Sequence, residues 1–110
     1  MLRLTVLTIA VVLAMGTTPA EASSKGQNKA IICKVFKNYC KQALRVSWCE
    51  SRWEIWAGYK KHQYWGLFQM GTSERARYGH GWNAWAQARA AWRYFVASGK
   101  DWSPWSCKPW

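Results

Sequence analysis

The sequence predicts a small, mainly α-helical domain that disulfide bonds hold together, with at most a short hairpin or loop beside the helices. Apolar residues recur at helical spacing in separate runs, and no run shows the sustained alternation of a surface strand. Four cysteines occur within 110 residues, which is typical of small exported domains. The length of 110 residues, which includes an expected export signal, excludes a multidomain enzyme and a dinucleotide-binding fold.

The N-terminus is typical of a secretory signal peptide. A basic start precedes the apolar stretch 4–15, and an Ala-x-Ala pattern ends at Ala22. The stretch is shorter than the roughly 20 apolar residues of a membrane-spanning helix. We therefore expect residues 1–22 to be a signal peptide, residues 23–30 a flexible lead-in and residues 31–110 a single domain. The mature protein would be secreted or held in the cell envelope.

Helical periodicity divides this domain into elements. Two apolar runs, 31–39 and 43–50, predict two helices, and the polar stretch 57–64 predicts an exposed loop. Residues 72–78 predict a short helix that glycines end.

Asn83 is expected to cap a last helix. Its predicted apolar face is Trp85, Ala88, Trp92, Phe95 and Val96, and its predicted polar face is Gln87, Arg89 and Arg93. After it, Pro104 prevents a helix, so the tail should wrap around the body.

The cysteines Cys33, Cys40, Cys49 and Cys107 allow three pairings. Residues seven apart in an unbroken helix are about 10 Å apart along its axis, which is too far for a disulfide. A Cys33–Cys40 bond therefore requires a break, which we expect near Asn38. Cys49–Cys107 would then tie the tail to the middle of the chain. We favour this pairing, and the other two stay open. No metal is expected, because no Cys-x-x-Cys occurs and the histidines lack ligand spacing.

The charge predicts anionic partners. Sixteen Lys and Arg residues against five Asp and Glu residues give a formal net charge of +11. No zinc finger or RNA-binding signature occurs, and export would separate the chain from most nucleic acid, so we expect no nucleic-acid partner. The polyanionic bacterial cell wall is the expected partner, without stable membrane insertion, and the protein is expected to be a monomer.

Glu50 is the candidate catalytic residue. It is predicted to lie near a helix C-terminus beside Trp48 and Trp53, and both the helix dipole and apolar neighbours favour a protonated carboxyl group. Such an acid can protonate a glycosidic oxygen. The alternative interpretation is an ordinary helix-end carboxylate that is paired with Arg45 or Arg52.

Two motifs at this separation resemble those of a known family. Cys49-Glu50-Ser51-Arg52-Trp53 is followed, after a polar loop with Tyr64, by Gly66-Leu67-Phe68-Gln69-Met70. They resemble the Glu-Ser and Gly-Leu-Met-Gln motifs of soluble (SLT-type) lytic transglycosylases, members of the lysozyme-like superfamily. The cysteine before the glutamate and the cysteine after a terminal Trp-x-x-Trp also resemble bacterial resuscitation-promoting factors. The resemblance covers about residues 31–107.

The resemblance implies a lysozyme-like fold and cleavage of the MurNAc-GlcNAc β-1,4 bond of peptidoglycan without a cofactor. Glu50 would be the single acid and then base, and the product would carry a 1,6-anhydro ring. The family's Ala-Tyr-Asn-x-x-Gly-type motif is not present as such, and Ala91-Trp92-Arg93-Tyr94 is the nearest stretch. The predicted substrate-binding residues are Ser51, Trp53, Tyr64, Trp65, Gly66, Phe68, Gln69, Met70 and Tyr94.

Two alternatives remain at this point. A hydrolytic muramidase would need a second carboxylate near Glu50. Glu54 lies one helical turn further on if the helix continues, and Asp101 lies in the tail. The other alternative is a non-catalytic cationic protein that binds the wall or disrupts membranes, whose activity would survive Glu50→Gln.

Overall fold

The fold is a small helical assembly. The computed structural model describes residues 23–110, and the expected signal peptide lies outside them. The helices are α1 (Lys25–Phe36), α2 (Cys40–Ser51), α3 (Thr72–Tyr78) and α4 (Ala84–Ala97). Within this described part there is no strand, and an isolated antiparallel bridge joins Trp65 to Met70. The prediction of a mainly α-helical domain is therefore confirmed. No helix within 23–110 is long and apolar enough to cross a membrane.

Helix α1 begins earlier than expected, so most of the predicted lead-in over residues 23–30 is helical. Ser24 caps the helix: its hydroxyl accepts a hydrogen bond from the Gln27 N–H at 3.1 Å, and the Gln27 side chain accepts one from the Ser24 N–H at 2.8 Å. Asn28 is buried, and its amide donates to the Trp53 carbonyl at 2.9 Å. Polar contacts therefore anchor this turn, and apolar periodicity does not detect them.

The predicted break separates α1 from α2. A 3₁₀ turn, Lys37–Tyr39, follows α1, and Lys37 has a φ of 52°. The turn brings Cys33 within a Cα–Cα distance of 4.5 Å of Cys40, and the two form a disulfide. The second disulfide joins Cys49 to Cys107. The favoured pairing is confirmed.

Phe36 lies at the centre of the core. Its ring stacks on Phe68 at a centroid distance of 5.3 Å and on Trp102 at 5.7 Å. Phe95 of α4 lies 5.8 Å away. Trp102 and Trp105 are buried, so the tail wraps around the body as predicted. The tail thereby becomes part of the core instead of a loose end.

The last helix is capped as predicted, because the Asn83 side chain accepts a hydrogen bond from the Ala86 N–H at 2.9 Å. Ala88 and Phe95 of its apolar face are buried, whereas Trp85 and Val96 are exposed. The buried face is therefore shifted around the helix from the predicted one, because Ala84, Ala90 and Ala91 are buried in place of Trp85 and Val96.

Gln87 was predicted on the polar face of α4, and this prediction is wrong. Its side chain is buried. The carbonyl oxygen Oε1 accepts a hydrogen bond from the Leu67 N–H at 2.8 Å, and Nε2 donates to the carbonyls of Ile55 at 3.0 Å and Gly81 at 2.8 Å. The hydrogen bonds of Gln87 therefore connect the three non-helical segments around Ile55, Leu67 and Gly81 to α4.

Candidate active site

Glu50 lies at the end of α2, one residue before the helix stops. Arg52 and Trp53 then adopt left-handed backbone conformations, with φ of 56° and 60°, which end the helix and turn the chain. The half-buried Glu50 side chain faces a cavity of about 340 Å³, which we call the Glu50 cavity. Six segments of the chain contribute to its lining: Glu50, His62, Tyr64, Gln69, Met70, Gly71, Glu74, Tyr94, Pro104, Trp105 and Ser106.

The surroundings of Glu50 favour its protonated form. Burial raises the pKa of Glu50 above its ordinary value, while the Cys107 N–H, the charge of Lys108 and the Ser106 N–H each lower it in part. The Cys107 N–H donates to Oε2 at 3.0 Å. The tail therefore holds one carboxylate oxygen in place.

The predicted cause of this burial is wrong, because Trp48 and Trp53 do not line the Glu50 cavity. Residues two apart on an α-helix point about 200° apart, so Trp48 faces away from Glu50. Trp53 folds back onto the Trp48 side of α2, where its Nε1 lies 3.3 Å from the Leu44 carbonyl and 3.1 Å from the Ser47 hydroxyl. The apolar wall near Glu50 comes from Met70 and Trp105 instead.

The expected arginine partners of Glu50 are engaged elsewhere. Arg45 donates to the Pro109 carbonyl at 3.2 Å, and the Arg52 guanidinium lies 4.8 Å from the centre of a Trp48 ring. Within residues 23–110, the one ion pair joins Lys25 to Glu54 at 3.4 Å. Glu50 is therefore not the ordinary paired carboxylate of the alternative interpretation.

Ser51 joins the two motifs without lining the cavity. It is buried, and its hydroxyl lies 2.8 Å from the Leu67 carbonyl and 3.0 Å from the Ser47 carbonyl. It also accepts a hydrogen bond from the Trp53 N–H at 3.1 Å. The predicted contact of Ser51 with substrate is thus replaced by a positioning role, since Ser51 fixes the end of α2 against the second motif.

The second motif forms a tight turn that the Trp65–Met70 bridge closes. Gly66 has a φ of 84°, and a Cβ there would lie 2.6 Å from Gln87 Oε1. Gln69 donates from its side chain to the carbonyls of Ala57 at 3.1 Å and Gly66 at 3.0 Å. The turn thereby presents Gln69 and Met70 to the cavity.

Of the predicted binding residues, Tyr64, Gln69, Met70 and Tyr94 meet Glu50 at the cavity. Those that the structure does not bring to it are Ser51, Trp53, Trp65, Gly66 and Phe68. Phe68 is in the core. Gly66 is buried within the turn that the second motif forms.

Trp65 belongs to a separate aromatic cluster. The guanidinium of Arg75 lies 3.9 Å from the centre of its ring, and Trp82 lies 5.2 Å away. Arg75 also donates to the Met70 carbonyl at 2.6 Å and to the carbonyl of Gln63. Arg75 therefore connects this cluster to Met70, which lines the Glu50 cavity.

Glu74 is the functional candidate that sequence reasoning missed. It lies on α3 and lines the same cavity as Glu50. Glu54 and Asp101, the second carboxylates considered above, are exposed and do not line it. Burial, followed by the charges of Glu74 and Tyr78, raises the pKa of Tyr94, which lines the same cavity. Its position four residues after Met70 did not show which side of α3 it occupies.

Tyr94 and Trp105 complete the wall opposite the second motif. Tyr94 stacks on Tyr78 at 5.1 Å and lies 4.9 Å from Trp105. Among the hydrogen bonds of residues 23–110, none joins Tyr94 to Glu50, whose donor is the Cys107 N–H. Trp105 itself donates to the Phe68 carbonyl at 2.9 Å and is held rigidly.

The cavity can supply acid–base chemistry. It brings together two carboxyl groups, two phenols and an indole in a partly enclosed space. In the described part of the chain, no group of His, Cys, Asp and Glu side chains is arranged to hold a metal ion. Comparison with protein-family models, curated proteins and solved structures gave no match.

Proposed function

We propose that the protein is an exported lytic transglycosylase of the lysozyme-like superfamily that cleaves the MurNAc-GlcNAc β-1,4 bond of peptidoglycan. The observation that carries this proposal is Glu50, a half-buried acid with a raised pKa and, within residues 23–110, no ion-pair partner, in a cavity that the second motif also lines. Its protonated form is the one that can protonate a leaving glycosidic oxygen.

In the proposed reaction, Glu50 transfers its proton to the glycosidic oxygen as the bond from that oxygen to C1 of MurNAc breaks. The carboxylate then takes the proton of the C6 hydroxyl of the same sugar, whose oxygen bonds to C1 and closes the 1,6-anhydro ring. The Cys107 N–H donates to Oε2, so in the proposed reaction Oε1 is the oxygen that carries the proton. This N–H also stabilises the carboxylate that exists between the two transfers.

Glu74 favours a second candidate, a hydrolytic muramidase. A second carboxylate can activate a water molecule or stabilise the positive charge at C1, and Glu74 lines the same cavity as the proposed acid. The products would then carry a reducing end instead of an anhydro ring.

The test of both candidates is mass spectrometry of the muropeptides that the oxidised protein releases from purified peptidoglycan. Under the proposed function we expect anhydro-muropeptides, and Glu50→Gln should lower their rate of release about a thousandfold. The matched control is Glu54→Gln, which removes an exposed carboxylate of similar charge and should leave the rate unchanged.

The remaining outcomes discriminate between the classes. Products with reducing ends, together with a loss of more than about a hundredfold in Glu74→Gln, would favour the hydrolase. Under the transglycosylase proposal, Glu74→Gln should lower the rate less than about tenfold, because that residue only lines the cavity. A folded protein that binds the wall and releases nothing would contradict both and favour a cationic binding protein.

A further inference from the structure

A second concave surface lies on α2 away from Glu50. This surface, which we call the Trp48 groove, has a volume of about 390 Å³. Its lining residues are Lys29, Lys41, Leu44, Arg45, Trp48 and Trp53. Four of them, at positions 41, 44, 45 and 48, follow the i, i+3, i+4, i+7 spacing of a single helix face.

The groove and the Glu50 cavity share no lining residue. Because Trp48 and Glu50 point about 200° apart around the axis of α2, the two sites open on opposite sides of that helix. The groove is therefore a separate binding surface from the Glu50 cavity.

The floor of the groove is aromatic. The rings of Trp48 and Trp53 lie 4.6 Å apart, and Trp48 is 39% exposed. Exposed aromatic rings that lie together in a concave surface are typical of interaction sites.

The rim of the groove is cationic. Lys29 lies 4.7 Å from the centre of a Trp53 ring, while Lys25 and Arg52 approach a Trp48 ring at 5.5 and 4.8 Å. Lys41 and Arg45 add two more positive charges. Of the residues that the structure describes, none with a carboxylate lines the groove.

We infer that the Trp48 groove binds an anionic glycan, and specifically a second peptidoglycan strand beside the one in the Glu50 cavity. Sugar rings present flat C–H faces that stack on indoles, and stem-peptide carboxylates recur along the strand to meet the lysines and arginines. The identification of the ligand as peptidoglycan rests on the proposed function. The preference of the groove for an anionic glycan rests on its aromatic floor and its cationic rim. The groove is thus an anchoring site that holds the enzyme on the wall.

The binding test uses the oxidised protein with Glu50→Gln, so that the wall is not degraded. The probe is insoluble peptidoglycan from which phosphate-linked polymers have been removed by acid, and the measurement is the dissociation constant from a sedimentation isotherm. Adding Trp48→Ala should weaken binding about tenfold, because an aromatic anchor in a desolvated groove dominates such interfaces.

The matched control is Trp85→Ala in the same background. Trp85 is 37% exposed, and Arg89 and Lys34 lie 5.0 and 6.0 Å from a ring, so it resembles Trp48 in exposure and charge. It lies on α4, outside the groove, and its removal should change the dissociation constant less than about twofold. Lys41→Gln, at an exposed position that cannot disturb the core, should weaken binding about threefold.

Equal effects of the two tryptophan variants would overturn the inference. So would tighter binding to wall phosphate polymer, to vesicles of anionic lipid or to single-stranded nucleic acid than to the stripped peptidoglycan. Failure of the proposed function appears differently, as an absence of released muropeptides from the protein with Glu50 intact. Trp48→Ala should not alter the cleavage of short soluble glycan fragments, which separates anchoring from chemistry.

Discussion

The two surfaces of α2 are built in different ways. The Trp48 groove takes all of its lining from residues 29–53, that is, from two consecutive helices and the turn after them. The Glu50 cavity takes its lining from residues 50–106, in six segments that meet only when the whole chain is folded. One surface is local in sequence and cationic, whereas the other is assembled from distant parts and contains two carboxylates.

Under the two proposals, one short helix would carry the wall-binding surface on one side and the proposed acid on the other. The cations that line the groove, Lys29, Lys41 and Arg45, are not among the groups that shift the pKa of Glu50. Lys108 is the cation that lowers the Glu50 pKa, and burial outweighs it. The pKa of the proposed acid is therefore raised even in a protein of net charge +11.

The largest effect should come from removing one disulfide at a time. Replacing Cys49 and Cys107 by serine should lower the free energy of unfolding by about 4 kcal/mol, because that bond closes the longer loop. Cleavage should fall at least about a hundredfold, since the tail supplies the Cys107 N–H and the Trp105 wall. Urea denaturation and muropeptide release measure the two quantities.

The matched variant replaces Cys33 and Cys40 by serine. This variant should lower the free energy of unfolding by about 2 kcal/mol, because the closed loop is short. Its rate of cleavage should stay within about tenfold of the wild type. A similar loss of cleavage in both variants would show that the cavity depends on global stability instead of on the tail.

The next effect concerns pH. Because Glu50 must be protonated to act as an acid, the kcat/KM for soluble glycan should fall with rising pH, about tenfold per unit once the pH exceeds the raised pKa of Glu50. Wall binding by Glu50→Gln should stay constant from pH 5 to 8, because neither histidine nor carboxylate lines the groove within residues 23–110. A parallel decline of binding and cleavage would contradict the separation of the two surfaces.

A smaller effect is expected from Gln87→Leu. The leucine fills a similar volume, but it leaves the Leu67 N–H and the carbonyls of Ile55 and Gly81 without this partner. The free energy of unfolding should therefore fall by about 3 kcal/mol. The control Gln63→Leu changes an exposed glutamine and should cost less than about 0.5 kcal/mol. Thermal unfolding of both proteins gives the difference, and wall binding should be the same in both.

The smallest effect is that of salt. Raising the concentration of sodium chloride from about 0.05 to 0.5 M should weaken wall binding about fivefold, because the cations of the groove are exposed and screened. Cleavage of short soluble glycan fragments, which are too short to reach the groove and the cavity together, should change less than about twofold. Binding that is insensitive to salt would mean that the indoles act without the cationic rim.

The local elements could be predicted from the sequence because their signals are local. Apolar spacing identified α2 and α4, and glycines marked the end of α3. The start of α1 was missed because Asn28 is buried through a hydrogen bond and not through an apolar side chain. The Ser-x-x-Gln pattern at Ser24 was the signal that could have identified it.

The candidate site was predictable only in part, since its residues meet through tertiary contacts. The motif around Glu50 and the one that contains Gln69 identified one side of the cavity. Nothing in the sequence fixes where Trp53 points, because two consecutive left-handed residues turn it back onto α2. Glu74 escaped prediction for the same reason, because no local pattern reports which side of a short helix faces a distant glutamate.

The position of the second disulfide has a consequence for when the proposed enzyme becomes active. Cys49 precedes Glu50 directly, and the backbone N–H of Cys107 is the donor to the Glu50 carboxylate. Oxidation of this pair of thiols therefore joins the acid to its own donor and docks the last wall of the cavity in one covalent step. A chain whose thiols are still reduced carries the same residues without that tether, so under the proposed function full activity would follow the oxidation of Cys49 and Cys107.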